Sequence, residues 1–137
     1  MIRLMTRLLL AVACFPASAA LQVFATVPEW GALVREIGGD KVNVFVATTA
    51  LQDPHRIEAR PSLLAQARRA RLVVATGADL EAGWLPLVAR DSGNAGIQRG
   101  QPGYFEAAGY VTLLDVPPAL DRTQGDVHAA GNPHIQL

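Results

Sequence analysis

From residue 21 onward, short β-branched runs alternate with longer segments of helical period. The runs that predict strands are LQVFATV (21–27), KVNVFVATT (41–49), LVVAT (72–76) and YVTLLDV (110–116). LVVAT is apolar throughout, which is typical of a strand covered on both faces, so we expect it at the centre of the sheet. The alternation predicts an α/β fold, with a parallel sheet and flanking helices.

Three segments predict those helices. PEWGALVREIGG begins with Pro28, which a first helical turn tolerates, and one face should pack on the core. LLAQARRA (63–70) follows Ser62, a candidate N-cap, and WLPLVARD (84–91) should start close to Pro86. Residues 92–103 are rich in glycine and predict a loop. The core-facing residues of the first helix are Trp30, Leu33, Val34 and Ile37.

The first twenty residues follow a different pattern. Arg3 and Arg7 flank the start of an apolar run that ends in the small residues ASAA, which predicts a secretory signal peptide over 1–20 and a periplasmic domain over 21–137. An alternative is a lipoprotein site at AVAC, with a lipid anchor on Cys14, the only cysteine. A membrane-spanning anchor needs roughly 20 apolar residues and is disfavoured.

Length and charge narrow the function. A chain of 137 residues is one ordinary domain at most, and its 12 basic and 12 acidic side chains balance. It has no basic patch to neutralise phosphates, so nucleic acid is not an expected partner.

Two histidines occupy similar settings. His55 in DPH follows the second predicted strand, and His134 in NPH follows the fourth. Loops at the carboxyl ends of parallel strands share one crevice, so both imidazoles can reach one cleft. The preceding prolines stiffen the turns, which suits metal ligands, and Asp53 or Glu58 could orient a ring. The alternative is that each motif only starts a turn or caps a helix.

Other chemistry is weaker. His128, in GDVHAAGNP, is a third candidate for metal capture, in a solvated loop. Ser92 has no GxSxG around it, and GNAGIQRG neither follows a strand nor opens a helix, so neither a nucleophile nor a phosphate cradle is predicted. Trp30 and Trp84 fall at helix positions that predict packing rather than recognition.

Four motifs in order carry a family resemblance. DPHRIEARPS, TGADLEAGWL, QPGYFEAAGYVTLLDVP and GDVHAAGNPHIQL resemble segments of the zinc- and manganese-binding solute-binding proteins of ABC importers, the metal-binding lipoprotein or adhesin family. The resemblance runs from residue 21 to residue 137.

The resemblance implies two βα lobes joined by a long helix, with a metal bound in the cleft. It implies that His55 and His134 are metal ligands from the amino-terminal lobe, and that further ligands come from a second lobe that is absent here. Residues 21–137 are therefore expected to be a truncated amino-terminal lobe. The implied partners are a divalent metal ion and the membrane permease of an ABC importer, and we expect a monomer.

The sequence departs from the family in two places. Some zinc-binding members have Glu directly before the first histidine, where this chain has Pro54. The His-rich loop of several zinc-binding members is reduced to His128. The expected cargo is Zn²⁺, and Mn²⁺ stays open as the second candidate.

The leading hypothesis is a non-enzymatic periplasmic receptor that captures the metal for import. One alternative is an exported zinc hydrolase with Glu58 as general base, although no HExxH pair is present. Another is a fragment of the receptor that has no function.

Overall fold

Four parallel strands form one sheet in the computed structural model, which describes residues 19–117 and 129–135. The spatial order is β2-β1-β3-β4, so β1 and β3 are central. The predicted parallel α/β fold and the central place of LVVAT are confirmed. The strands are β1 (Leu21–Ala25), β2 (Val42–Val46), β3 (Leu72–Ala75) and β4 (Tyr104–Glu106).

Each of the three α-helices in the described part of the chain has proline in its first turn. They are α1 (Pro28–Gly38), α2 (Pro61–Arg69) and α3 (Leu85–Asp91). Proline suits this position because its φ is already helical and its missing N–H would have no partner there. The prediction that Ser62 is an N-cap is wrong: Pro61 starts the helix earlier, so Arg60 is the N-cap and makes no side-chain capping bond.

The strands alternate their side chains between two apolar clusters, one on each face of the sheet. Phe24 and Val73 point to the face covered by α2 and α3, whereas Val23 and Val74 point to the face that carries α1. Trp84 lies in the first cluster and Trp30 in the second, at 1% and 5% exposure, which confirms that both tryptophans pack.

The predicted core face of α1 is only partly correct. Trp30 is buried and Val34 packs against its cluster, but Leu33 and Ile37 are 37% and 77% exposed. These two side chains border an apolar groove of about 960 Å³, which runs across the sheet to Phe105 on β4. The helix therefore shields only part of this sheet face among the described residues.

The predicted fourth strand at 110–116 is also wrong. β4 lies earlier, at Tyr104–Glu106, and pairs in register with Val73–Ala75 of β3. A 3₁₀ turn (Ala107–Tyr110) follows, and its Ala108 N–H donates to the Thr76 carbonyl at 2.8 Å. With the edge of β3 already occupied, residues 111–117 form no strand, and Val111, Leu114 and Val116 are exposed.

Some predicted features lie outside the described residues. These are most of the signal peptide, Cys14 and His128. Within 19–117 and 129–135, no helix combines the length and apolar character that crossing a bilayer requires.

Candidate metal centre

His55 lies in the loop after β2, in a turn that contacts with the Asp53 side chain close. The Asp53 carboxylate accepts the His55 backbone N–H at 3.0 Å and lies 2.7 Å from Nδ1 of the imidazole. An ionised carboxylate can only accept hydrogen bonds, so Nδ1 carries the proton in this contact. A metal bound to His55 would then be coordinated through Nε2, as in carboxylate–histidine–metal triads.

Asp53 is thus an acceptor that contacts His55, and the side chains of Asp53 and Glu58 are both exposed. The side-chain hydrogen bond to His55 is the main cause that lowers the pKa of Asp53, with the backbone bond to His55 second. Arg56 contributes less, with its Nε 3.8 Å from the second carboxylate oxygen. The carboxylate therefore stays ionised in more acidic solution than an ordinary aspartate does.

His134 lies in a second turn of the same construction. The Asn132 side-chain oxygen accepts the His134 backbone N–H at 2.9 Å. The Asn132 backbone N–H donates to the Leu114 carbonyl at 2.8 Å, and its side-chain amide lies 3.3 Å from Asp115. Pro133, which lies between Asn132 and His134 in the sequence, is fully buried. The turn is therefore tied both to itself and to residues 114–115.

These two Asx-Pro-His turns bring their rings together. The imidazole centroids of His55 and His134 are 5.9 Å apart, and the ring planes are inclined by 65°. The side chain of His55 is 25% exposed, and His134 is exposed. The two histidines predicted to share a cleft are thus neighbours, although their role as metal ligands stays a prediction.

A cavity of about 200 Å³ lies beside His134. It is lined by Val27, Glu29, Trp30, Pro54, Thr76, Leu80, Pro133, His134 and Ile135. Its walls are mostly apolar, and Glu29 in the first turn of α1 is its acidic member. Imidazole nitrogens suit zinc, which takes four ligands in structural sites and three from protein in catalytic ones. Among the described residues no cluster of three or more His, Cys, Asp or Glu could hold a metal ion, so the two imidazoles alone would supply at most part of a ligand set.

The most buried carboxylate near this edge of the sheet is Glu81, which the sequence analysis did not single out. Glu81 is 3% exposed and accepts three hydrogen bonds. The donors are the hydroxyl of Thr26 at 2.6 Å and the backbone N–H groups of Thr76 and Gly77 at 2.9 and 3.0 Å. Glu81 lies in TGADLEAGWL, one of the four motifs that carry the family resemblance, and its apolar neighbours Leu80 and Ala82 were the other sequence signal.

Both tryptophans donate hydrogen bonds toward this region. Trp30 Nε1 donates to the Thr76 hydroxyl at 2.8 Å, next to the backbone bond that Thr76 makes with Glu81. Trp84 Nε1 donates to the carbonyl of Pro54 at 2.8 Å, inside the His55 turn. Each indole therefore packs in the core with its ring and satisfies a polar group with its N–H.

Three solved structures of periplasmic metal-binding proteins resemble this chain. A ZnuA crystal structure is 27% identical, with a TM-score of 0.59 over 70% of this chain and 35% of that one. A ZnuA deletion mutant with zinc bound is 28% identical, with a TM-score of 0.60 over 72% and 35%. A manganese-bound periplasmic metal binding protein from Candidatus Liberibacter asiaticus, 18% identical, shares the fold with a TM-score of 0.60 over 82% and 36%.

This chain thus spans about a third of the length of these solved relatives. None of the curated protein sequences matches it. Residues 23–137 match the family described as ZnuA, zinc-uptake complex component A periplasmic. Since the match covers most of the chain and agrees with the fold, the chain belongs to the ZnuA family.

Proposed function

We propose that residues 21–137 form the amino-terminal lobe of a periplasmic receptor that captures zinc for an ABC importer. The observation that carries the proposal is the pairing of two Asx-Pro-His turns, with ring centroids 5.9 Å apart. In each turn an Asx side chain holds the histidine backbone N–H. Histidines held in this way keep the bond direction that a metal requires.

Zinc is the favoured cargo for chemical reasons. Neutral imidazole binds zinc well, whereas manganese prefers sites richer in oxygen donors. The zinc-bound ZnuA mutant supports the same choice, and the manganese-bound relative keeps Mn²⁺ as the second candidate. The remaining ligands would come from groups outside the described residues, such as a second lobe, or from water.

The proposal is for a carrier rather than an enzyme, because cargo that must be released calls for ligands and not for a general base. Export by the signal peptide at 1–20 would place it in the periplasm, with a lipid anchor at Cys14 as the alternative. The receptor would act as a monomer and deliver its metal to the membrane permease of the importer.

Alanine variants of the histidines test this assignment. His55→Ala or His134→Ala should weaken zinc binding by at least about tenfold, since loss of an outer-shell partner alone costs that much. His128→Ala is the matched control and should change the affinity much less. Calorimetric titration with zinc measures the affinity of the purified parent chain and of the three variants. Equal losses in the three variants, or no saturable zinc binding by the parent, would contradict the proposal.

A further inference from the structure

We propose that Trp84 is a positioning residue for His55. In this proposal the 77–84 segment fixes the position of the His55 turn at the carboxyl ends of the strands. The inference rests on the proposed function in that it takes His55 as a zinc ligand. It assigns a role to the TGADLEAGWL motif, which otherwise has no chemistry.

One hydrogen bond and one close approach of the backbone join the segment to the turn. The indole N–H of Trp84 donates to the carbonyl of Pro54, the residue between Asp53 and His55, at 2.8 Å. One residue earlier, Gly83 lies so close that a Cβ placed on it would be 3.3 Å from the His55 carbonyl oxygen. The carbonyl groups of Pro54 and His55 therefore lie against Trp84 and Gly83, respectively.

Hydrogen bonds to the Glu81 carboxylate hold the segment itself in place. Its carboxylate joins the Thr26 hydroxyl, which follows β1, to the backbone N–H groups of Thr76 and Gly77, which follow β3. Between these bonds the backbone passes through three successive residues of positive φ, Gly77 (82°), Ala78 (50°) and Asp79 (69°). Such a run is costly for non-glycine residues and persists only where surrounding bonds enforce it.

Trp84 links this braced segment to the core. Its side chain is 1% exposed in the cluster that α2 and α3 form with the sheet, so the indole ring cannot move without disturbing that packing. Its N–H is thereby fixed in space, and the bond to Pro54 passes that constraint to the His55 turn. The segment limits how far His55 can move relative to His134, which sets how well both imidazoles can reach one ion.

Conservative variants test the positioning role. Trp84→Phe keeps an aromatic ring in the core and removes the donor to Pro54, and it should lower zinc affinity by about tenfold. Gly83→Ala should act in the same direction, because the added methyl group must displace the His55 carbonyl by a few tenths of an ångström. Ser92→Ala is the matched control: it removes a buried hydrogen bond of 2.7 Å to the Ala89 carbonyl at the end of α3.

The measurements are zinc affinity, thermal stability and the ¹⁵N imidazole resonances of His55 in the metal-free chain. We expect Trp84→Phe and Gly83→Ala to shift those resonances and weaken zinc binding, with Ser92→Ala changing stability alone. Parent-like affinity and resonances in both variants would overturn the inference, and so would an equal affinity loss in Ser92→Ala. If Trp84→Phe does not fold, Gly83→Ala decides.

The inference and the proposed function fail differently. Parent-like zinc affinity in His55→Ala would refute the role of His55 as a ligand, and the inference with it. Loss of affinity in His55→Ala but not in Trp84→Phe or Gly83→Ala would leave the receptor function standing and refute the positioning role alone.

Discussion

At the scale of single residues, three buried polar side chains form a network at the carboxyl ends of β1 and β3. Thr26, Thr76 and Glu81 are each at most 3% exposed and are bonded to one another or to the backbone. Among the described residues, every buried side-chain nitrogen or oxygen has a partner. A satisfied polar network of this kind fixes one arrangement, because any alternative leaves a buried group without its hydrogen bond.

The sequence predicted that His55 and His134 would share one cleft, but it did not predict this network. The histidines stand out because Asx-Pro dipeptides start turns with known directions. Glu81 does not stand out, because a glutamate among helix-forming residues is usually solvated. Its burial depends on the run of positive φ at 77–79, which includes the non-glycine residues Ala78 and Asp79 and has no clear sequence signature.

Tyr104 supplies a pH-dependent prediction. Burial raises the pKa of its phenol to about 12, and the charges of Glu106 and Glu81 add to the effect. The folded chain then keeps a proton that the unfolded chain, with an ordinary tyrosine pKa of 10.0, releases. Stability should therefore fall as pH rises from about 10 to about 12, because the unfolded state binds fewer protons there.

Urea unfolding at about pH 9 and about pH 11 measures this effect. The loss between the two values should be smaller in Tyr104→Phe than in the parent, and phenolate absorbance should lose its step near pH 12 in this variant. Tyr110→Phe, which changes a tyrosine with 77% exposure, is the control and should keep that step. An unchanged alkaline loss in Tyr104→Phe would contradict the prediction.

At the scale of elements, β1, β2 and β3 were predicted from the sequence, and the edge strand β4 was not. β1 and β3 carry near-continuous apolar runs because both of their faces are covered. β4 has only the three residues Tyr104–Glu106, whereas the longer apolar pattern of YVTLLDV predicts a strand at 110–116. Pairing with β3, rather than residue composition, decides where β4 lies.

The turn after β3 gives an element-scale prediction. Gly77 has φ of 82°, and a Cβ there would come within 2.3 Å of the Glu106 side chain on β4, which pairs with Arg99. Gly77→Ala should therefore destabilise the chain both through backbone strain and through displacement of Glu106. We expect a loss of about 2 to 6 kcal/mol, the sum of about 1 to 3 for strain and about 1 to 3 for overpacking.

Gly39→Ala is the matched control. Gly39 also has positive φ, at 53°, but a Cβ there meets no atom within 4 Å. Its cost should be the strain alone, about 1 to 3 kcal/mol, measured by urea unfolding beside Gly77→Ala. Equal losses in the two variants would show that the contact with Glu106 is unimportant.

At the scale of the whole molecule, the two sheet faces differ. The face under α2 and α3 is a closed core, whereas the face beside α1 carries the apolar groove bordered by Ile37 and Phe105. The histidine pair lies at the edge of the sheet, supported by residues that follow β1 and β3. The closed core and the open groove therefore lie on opposite faces of one sheet.

Metal-dependent melting tests the whole lobe. Zinc should raise the melting temperature, by an amount equivalent to about 2.7 kcal/mol once free zinc reaches about 100 times the dissociation constant. Manganese at equal concentration should raise it less, because imidazole sites bind zinc more tightly. The double variant His55→Ala/His134→Ala is the control and should show neither shift. Equal shifts in parent and double variant would place the metal elsewhere.

The two Asx-Pro-His turns lie far apart along the chain, at positions 55 and 134, and meet only in the fold. An ion bound by both histidines would close a ring that consists of the polypeptide between residues 55 and 134 and two coordinate bonds. Unlike a disulfide, this cross-link forms only in the folded chain, so it stabilises the native state by binding and does not constrain the unfolded chain, in a protein whose sole cysteine is Cys14. Under the proposed function the cargo would thus act as a removable staple, and loading would tie the 129–135 segment to the loop after β2 in the same step that captures the metal.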